Sequence, residues 1–383
     1  MNLRRFNRII NKIIRQPGYA LSVGIKRFMA AVAYKNKTGK APMPESVTFF
    51  MTPLCNLRCK MCGQWGDEGA FKCLPAEKLQ KKLNTADLIS IVNELTPYKP
   101  SFTLFGGEPL LHDGCIQLIE YIHAGGMHSL MITNGSLFDK YAVDLVDAGL
   151  DELNVSLDGY GALHDEIRGQ QGLFDIIYSG LKKVQDVKKT ENKKKPLINL
   201  QCTMMKDNYT QLDGIIRAAE ELGVDSVTFH NLIFLGQDLV DKQALCDKNL
   251  GCTSDAWKGF VFDPGIDPDR LFEQIEKIRG TKHRFAVDFY PNFSRQGIKE
   301  YYDNPSFKPD EYKPECRSPW LCCYIFNDGQ VRPCLNSTYS FGSVYDNSFK
   351  EIWNSAKAVQ YRKMLKENGI FPACVRCTEL YRY

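Results

Sequence analysis

Three cysteines, Cys55, Cys59 and Cys62, stand close enough in the chain to bring three thiolates to one metal centre. A loop at a strand end can wrap such a centre, and the same spacing also suits part of a zinc site or cysteines buried for packing. In a four-iron, four-sulfur cluster, three ligands leave one iron without a protein thiolate, and that open position can bind a substrate or cofactor. Gly106-Gly107-Glu108-Pro109 is a second candidate. Its glycines would let a ligand approach backbone amides, Glu108 offers a carboxylate to an ammonium group, and Pro109 stiffens the exit. A tight turn is the plainer reading of those four residues taken alone.

A second set, Cys316, Cys322, Cys323, Cys334, Cys374 and Cys377, lies near the C-terminal end. Tyr324 to Cys334 reads as two short strands around the turn Asp328-Gly329, which would bring Cys316 and Cys334 together. Cys374-Val-Arg-Cys377 is a knuckle that puts two thiolates on one centre, with zinc as the alternative occupant. Adjacent cysteines in a strand face opposite ways, so at most one of Cys322 and Cys323 should face that centre. Packing is the simpler role for both. Cys73, Cys115, Cys202, Cys246 and Cys252 lack partners at ligand spacing.

The elements that must position these residues follow a βα rhythm. Apolar, β-rich runs at 47–51, 102–105, 130–133, 153–157, 197–203 and 227–232 predict six strands. Amphipathic segments at 85–96, 115–124, 138–149, 173–189 and 210–222 are long enough for crossover helices. Continuous rather than alternating hydrophobicity in several strands predicts an α/β protein with a parallel sheet, closed or partly closed into a barrel. Cys55, Gly106, Thr133-Asn134-Gly135 and Ser156-Leu-Asp158-Gly159 each follow a predicted strand, so all four loops should meet on one rim. Past residue 235 the rhythm weakens into a Gly-, Asp- and Pro-rich stretch (236–270), a helix (271–279), a strand-like run (285–289) and a Pro-rich linker (305–319).

On these residues, 47 to about 235 resemble a radical S-adenosylmethionine (SAM) enzyme. The family's signature is three cysteines spaced as Cys55, Cys59 and Cys62, a hydrophobic residue before the third, here Met61, and a Gly-Gly-Glu-Pro turn on the next strand. The resemblance implies a partial (β/α)6 barrel like part of a TIM barrel, with the amine and carboxylate of SAM on the open iron. It further implies that Gly106, Gly107 and Glu108 hold the amine, that Met61 touches the adenine, and that Ser156 and Arg168 contact ribose and carboxylate. Asn134, on the same rim, joins the expected cofactor-binding set. A helix-surface salt bridge is the plainer role for Arg168. Residues 316–377 resemble the SPASM and twitch extensions of that family, with Phe341-Gly-Ser-Val344 and Ile352-Trp353 as further matches. The implied ligands of one auxiliary 4Fe-4S cluster are Cys316, Cys334, Cys374 and Cys377, beside the SAM-binding cluster on Cys55, Cys59 and Cys62.

The chain of 383 residues, 44% hydrophobic and 25% charged, excludes a small binding module and has the composition of a globular protein. Its net charge of +4 hides a segregation, because residues 1–44 hold ten of the 49 basic residues and none of the 45 acidic ones. Leu3, Phe6, Ile9, Ile10, Ile13 and Ile14 recur there at helical spacing until Pro17-Gly18. The segment predicts either a helix lying on anionic lipid or one packed on the body. We expect four regions: a basic helical segment (1–44), the barrel (45–235), a connecting region (236–312) and an auxiliary-cluster domain (313–383). Fourteen cysteines without a cleavable signal segment predict a reducing cytoplasm, where the lipid reading of the basic segment would put it at the inner membrane face.

The expected reaction is abstraction of a substrate hydrogen by a 5′-deoxyadenosyl radical, fed by a flavodoxin- or ferredoxin-type reductant. An oxidation, either dehydrogenation or a crosslink, follows if the auxiliary cluster takes the second electron. Epimerisation would instead need a thiol donor such as Cys322, Cys323, Cys246 or Cys252. A non-catalytic iron-sulfur or zinc protein would leave the Gly-Gly-Glu-Pro turn unexplained. The 54 residues before Cys55 are fewer than a peptide-recognition domain occupies, so a small-molecule, nucleotide-linked or lipid-linked substrate is expected ahead of a ribosomal peptide. Nothing points to nucleic acid.

Overall fold

The computed structural model describes residues 17–304 and 307–383. Its strands are β1 (Ser46–Phe50), β2 (Ser101–Phe105), β3 (Ser129–Thr133), β4 (Glu152–Ser156), β5 (Leu197–Met204), β6 (Ser226–Asn231), β7 (Ala286–Tyr290), β8 (Cys322–Ile325), β9 (Gln330–Arg332) and β10 (Gly342–Ser343). They form one ten-stranded sheet in the order β10-β9-β8-β1-β2-β3-β4-β5-β6-β7. Strands β1 to β7 are mutually parallel and β8 is parallel to β1, while β9 and β10 return antiparallel. The strands are neighbours in chain order because each crossover is a helix packed on one face.

The six predicted strands are present to within a residue or two. Two features differ. The strand-like run at 285–289 is a seventh parallel strand, β7, paired to β6 from Ser226↔Ala286 to His230↔Tyr290. The Asp-Gly hairpin is no separate unit: its first strand, β8, extends the barrel sheet on the free edge of β1, pairing Ser46 with Cys322 and Phe49 with Ile325. The stretch 236–270, which reads as irregular, contains the helix Gln237–Leu250.

Each strand buries one face under the helices. Leu153 and Val155, Ile198, Leu200 and Cys202, and Val227 and Phe229 are completely buried, and each such side chain contributes roughly 1.5–3 kcal/mol when fully removed from water. The alternate residues, among them Ser156, Gln201, Thr203, Thr228 and His230, are half-buried and line the concave side. Helix Thr85–Leu95 starts where Asn84 and Asp87 form a capping box, and turns Leu88, Ile91, Val92 and Leu95 inward.

The predicted amphipathic segment before Pro17 lies outside the described residues. Where the sequence pattern stops, a different helix starts: Pro17–Lys35 uses Pro17 in its first turn, where the missing N–H costs nothing. It crosses the N-terminal ends of the strands. Arg27 forms a two-pronged ion pair at 2.8 and 2.9 Å with buried Glu45, just before β1, and Lys26 donates to the Lys99 carbonyl before β2. Among the described residues no helix is long and apolar enough to cross a membrane.

Candidate active site

The loops after β1 and β2 are zipped together at the C-terminal rim. The Met51 amide donates to the Phe105 carbonyl at 2.8 Å, Gly107 to Thr52 at 2.7 Å and Glu108 to Leu54 at 2.9 Å. This approach explains both glycines. A Cβ on Gly107 would lie 2.0 Å from the Leu54 carbonyl, and one on Gly106, at φ +154°, would lie 2.5 Å from that of Thr52. The room they make is thus filled by the chain leading into Cys55.

Each of the three rim sulfurs accepts an N–H. Cys55 Sγ receives Leu57 N at 3.5 Å and Asn134 Nδ2 at 3.7 Å, Cys59 Sγ receives Arg168 Nη1 at 3.7 Å, and Cys62 Sγ receives Trp65 N at 3.4 Å. Burial pushes the Cys55 thiol up to about 11, and the neighbouring Cys59, Glu108 and Cys62 push the same way. Cys59 is also raised by burial, against the pull of Arg168. Cys55 and Cys59, raised by burial yet supplied with N–H donors, suit a metal centre that would deprotonate them, and the donors would then bond to cluster thiolates. Among the described residues no three His, Cys, Asp or Glu side chains are arranged to hold a single metal ion. Trp65 fixes the loop, donating Nε1 to the Pro53 carbonyl at 2.7 Å beneath Arg58, whose guanidinium lies 4.4 Å from the indole centre.

Glu108 is 1% exposed. Its carboxylate accepts from Thr133 Oγ1 and Asn134 N at 2.8 Å and from Leu110 N at 3.1 Å. Burial nevertheless raises it to about 7, so an arriving ammonium group would find a carboxylate poised to ionise. Asn134 uses its side-chain amide on Cys55 and Asn56, and so orients a cluster cysteine. Arg168 is not on a helix surface. Its Nε donates to fully buried Asp158 at 2.6 Å while Nη1 reaches Cys59, and Asp158 also accepts from Thr203 N at 2.7 Å. His164 Nδ1 accepts from Asp158 N, and burial pushes this imidazole down to about 3, so it stays neutral beside Arg168. The sequence points to this network through the Asp158-Gly159 turn after β4 and the stretch from His164 to Gly169 that carries Arg168, but not to Thr203 or to the pairing of Asp158 with Arg168. Ser156, the last residue of β4, and Met61, between two cluster cysteines, are both half-buried.

The second cysteine set gathers between the last parallel strand, β7, and the β8-β9 hairpin, beyond which β10 forms the other free edge of the sheet. Cys316 precedes β8, Cys334 follows β9, and Cys374 and Cys377 flank a tight turn. Tyr290, ending β7, donates to the Thr378 carbonyl at 2.7 Å, while Glu379 accepts from Ser318, before β8, at 3.2 Å. Arg376 is 1% exposed and donates to the carbonyls of Tyr301 and Asn304 at 2.7 and 2.9 Å. Burial raises Cys334 to about 11 and Cys374 to about 12, and Cys316 and Cys377 well above a free thiol. Electrostatic contacts join Cys316 to Cys374 and Cys377, and both knuckle cysteines to Cys334.

Cys252 and Cys246, partnerless by spacing, in fact lie beside this set, next to Cys334 and Cys374 respectively. Helix Gln237–Leu250 puts them there, because Gln243 accepts from the Ala373 amide at 3.1 Å. Cys322 and Cys323 pair with Ser46 and Val47 at the start of β1, the end away from the rim, and both are buried. The segment after Cys252 ties the two sets together: Thr338 donates to the Thr253 carbonyl at 2.8 Å, and a Cβ on Gly63 would strike the Phe260 ring at 2.3 Å.

Residues 49–198 match the model of the radical SAM superfamily and residues 316–378 that of the SPASM iron-sulfur cluster-binding domain. The Fe-coproporphyrin III synthase of Methanosarcina barkeri is 30% identical over 346 residues, 86% of this chain and 80% of that protein. The chain belongs to the radical SAM superfamily. Its cofactors are SAM and 4Fe-4S clusters. A second relative, the tungsten-containing aldehyde ferredoxin oxidoreductase cofactor-modifying protein of Pyrococcus furiosus, is 24% identical over 86% of this chain and 85% of that one. The fold is that of SuiB from Streptococcus suis, solved with SAM bound, at a TM-score of 0.60 and 15% identity over 87% of this chain and 70% of that one.

Proposed function

We propose that this radical SAM enzyme oxidises a small-molecule or carrier-linked substrate, by dehydrogenation or crosslinking, within the concave face of its sheet. When bound, SAM on the rim cluster supplies a hydrogen-abstracting radical, and the auxiliary cluster supplies an electron acceptor. The observation that carries this reading is the bond from Tyr290 to the Thr378 carbonyl, one residue past Cys377. It ties the auxiliary knuckle to the last parallel strand of the sheet, which supports a role for that cluster beside the concave face.

In this reading Cys55, Cys59 and Cys62 hold one cluster, and Cys316, Cys334, Cys374 and Cys377 hold the other. Glu108 receives the SAM amine, with Gly106 and Gly107 setting its position. Met61 faces adenine and Ser156 the ribose, while Asn134 and Arg168 hold Cys55 and Cys59 in place. The aromatic cluster of Phe50, Tyr324 and Phe326, with Phe71 and Phe105 packed against it, excludes water from the β8-β1-β2 side. Across the face, Gln201, Thr203 and His230 offer polar contacts to the substrate. His230 lies edge to face with Tyr290, ring centres 5.9 Å apart, and is the imidazole placed to take the proton that an oxidation releases.

Relatives whose names denote haem synthases and a cofactor-modifying protein favour a small-molecule substrate. A relative named for biosynthesis of the bacteriocin subtilosin keeps a peptide substrate as the second reading. The positions of Cys322 and Cys323, at the end of the sheet remote from the rim, argue against either as the thiol donor of an epimerase. A cytoplasmic setting and a flavodoxin- or ferredoxin-type reductant complete the proposal. The test is mass spectrometry of turnover in heavy water. An oxidation yields a product two hydrogens lighter, with one 5′-deoxyadenosine per turnover and no solvent deuterium at the abstracted carbon. A product that keeps its mass in water and gains one deuterium in heavy water would overturn it.

A further inference from the structure

The most apolar exposed surface of the described residues is one side of helix Pro17–Lys35. Leu21, Ile25, Phe28, Met29 and Val32 are 68%, 53%, 71%, 50% and 43% exposed. At about 100° per residue these positions fall within roughly a third of the helix circumference, so they form a continuous stripe. Only four other large hydrophobic residues among those described are exposed, and they are scattered over the chain at Leu54, Leu111, Leu245 and Tyr345. Single exposed hydrophobics need no explanation, but a stripe of five does.

The stripe is not a core face that failed to pack, since the other side of the helix is already seated. Ala30 and Tyr34 are buried, Tyr34 meets Trp320 edge to face at 5.0 Å, and Tyr19 stacks on His128 at 4.1 Å. With the Arg27–Glu45 pair, these contacts fix which side faces outward. They also fix where the stripe lies: at the N-terminal ends of β1, β2 and β3, opposite the rim that carries Cys55.

We propose that this face of helix Pro17–Lys35 lies on an anionic phospholipid bilayer. Charge selects this partner. Residues 1–44 carry ten basic side chains and no acid, which complements an anionic surface and opposes pairing with a second copy of the same segment. Apolar area and positive charge together give the two-signal attachment that either alone supplies only weakly. The orientation is self-consistent, because the bilayer would meet the closed end of the sheet and leave the SAM rim open to solvent, reductant and substrate.

The test is flotation of the full-length, cluster-loaded protein with phosphatidylcholine vesicles made with and without phosphatidylglycerol. Binding should require phosphatidylglycerol and be lost as salt rises from about 0.1 to 1 M. The variant I25E/F28E should bind about tenfold less or weaker still, and so should a full-length variant with Arg4, Arg5, Arg8, Lys12 and Arg15 changed to Gln. Unchanged 5′-deoxyadenosine formation by I25E/F28E without vesicles shows that it is folded. Equal flotation of the wild type and I25E/F28E, or flotation indifferent to phosphatidylglycerol, would overturn the proposal. A dimer by light scattering that I25E/F28E converts to monomer would assign the stripe to a second copy instead. Slow amide exchange over residues 21–32 without vesicles, abolished in the Gln variant, would assign it to the chain's own N-terminal segment.

Discussion

The two cysteine sets are built in opposite ways. The rim set comes from one short loop, and its geometry is imposed by neighbours: Asn134 on Cys55, Arg168 on Cys59, Trp65 on Cys62. The auxiliary set is assembled from segments far apart in the chain and depends on long-range bonds such as Tyr290 to Thr378 and Gln243 to Ala373. A local loop can be complete before its surroundings form, whereas a site built from distant segments exists only once those segments are in place. The rim site is therefore tuned by single side chains, and the auxiliary site is secured by the fold as a whole.

The largest effect should come from removing each set in turn. Changing Cys55, Cys59 and Cys62 together to Ala should abolish 5′-deoxyadenosine while leaving about four of roughly eight irons per chain. The change Cys334→Ala should remove the other half of the iron. Retention of all iron in either variant, or one zinc beside four irons in the wild type, would erase the distinction between the sets. The variant Cys252→Ala should keep its full iron content, since Cys252 neighbours the auxiliary set without belonging to it; loss of iron there would redraw the ligand set.

Next in size is the buried pair Arg168–Asp158. Truncating Arg168 to Ala leaves fully buried Asp158 without its counter-charge, and should cost about 3–5 kcal/mol in denaturant unfolding. The double variant D158N/R168M should recover much of that loss, because it removes both charges.

Glu108 gives a pH signature with two signs. Its ordinary carboxyl value is raised by burial to about 7, so between about pH 4.5 and 7 the folded protein holds a proton that the unfolded chain has lost. Stability of the SAM-free protein should therefore fall as pH rises through that window. Affinity for SAM should run the other way, weakening up to tenfold per pH unit below 7, because an ammonium group favours the ionised carboxylate. Calorimetric titration across that range should show the dependence in the wild type and a flat, weaker profile in E108Q. The smallest effect is that of Asn134→Ala, which withdraws one long N–H···S contact. A modest shift of the rim cluster's reduction potential is expected, with full iron retained.

What was legible in the sequence follows the same division. Cys55 to Cys62 and the turn at Gly106–Pro109 could be read because their partners are near in sequence or sit at strand ends, and the βα rhythm gave those strands to within a residue or two. The reason for the glycines was not legible, since the Leu54 and Thr52 carbonyls that occupy their Cβ positions lie some fifty residues away. The role of Arg168 needed the third dimension, because nothing local distinguishes a helix-end arginine on the surface from one buried against Asp158. Helix Gln237–Leu250 was hidden by its polarity: only Leu239, Val240, Gln243 and Asp247 are buried along it. That helix is what carries Cys246 and Cys252 to the auxiliary set. Strand β8 reads correctly as half of a hairpin, but pairing with β1 leaves no local trace.

That last pairing bears on how the chain is made. Strand β1 is made before every other described strand, yet its outer neighbour begins only at Cys322. At roughly 5–20 residues per second, the edge from Ser46 to Phe50 stays bare for roughly 15 to 60 s of synthesis. During that interval the backbone groups on the outer edge of β1 have no strand to pair with. The same interval exposes an unpaired hydrophobic strand to other nascent chains. Slower translation would thus lengthen the exposure and a holding chaperone would cover it, a hazard set by the order of synthesis rather than by the finished fold.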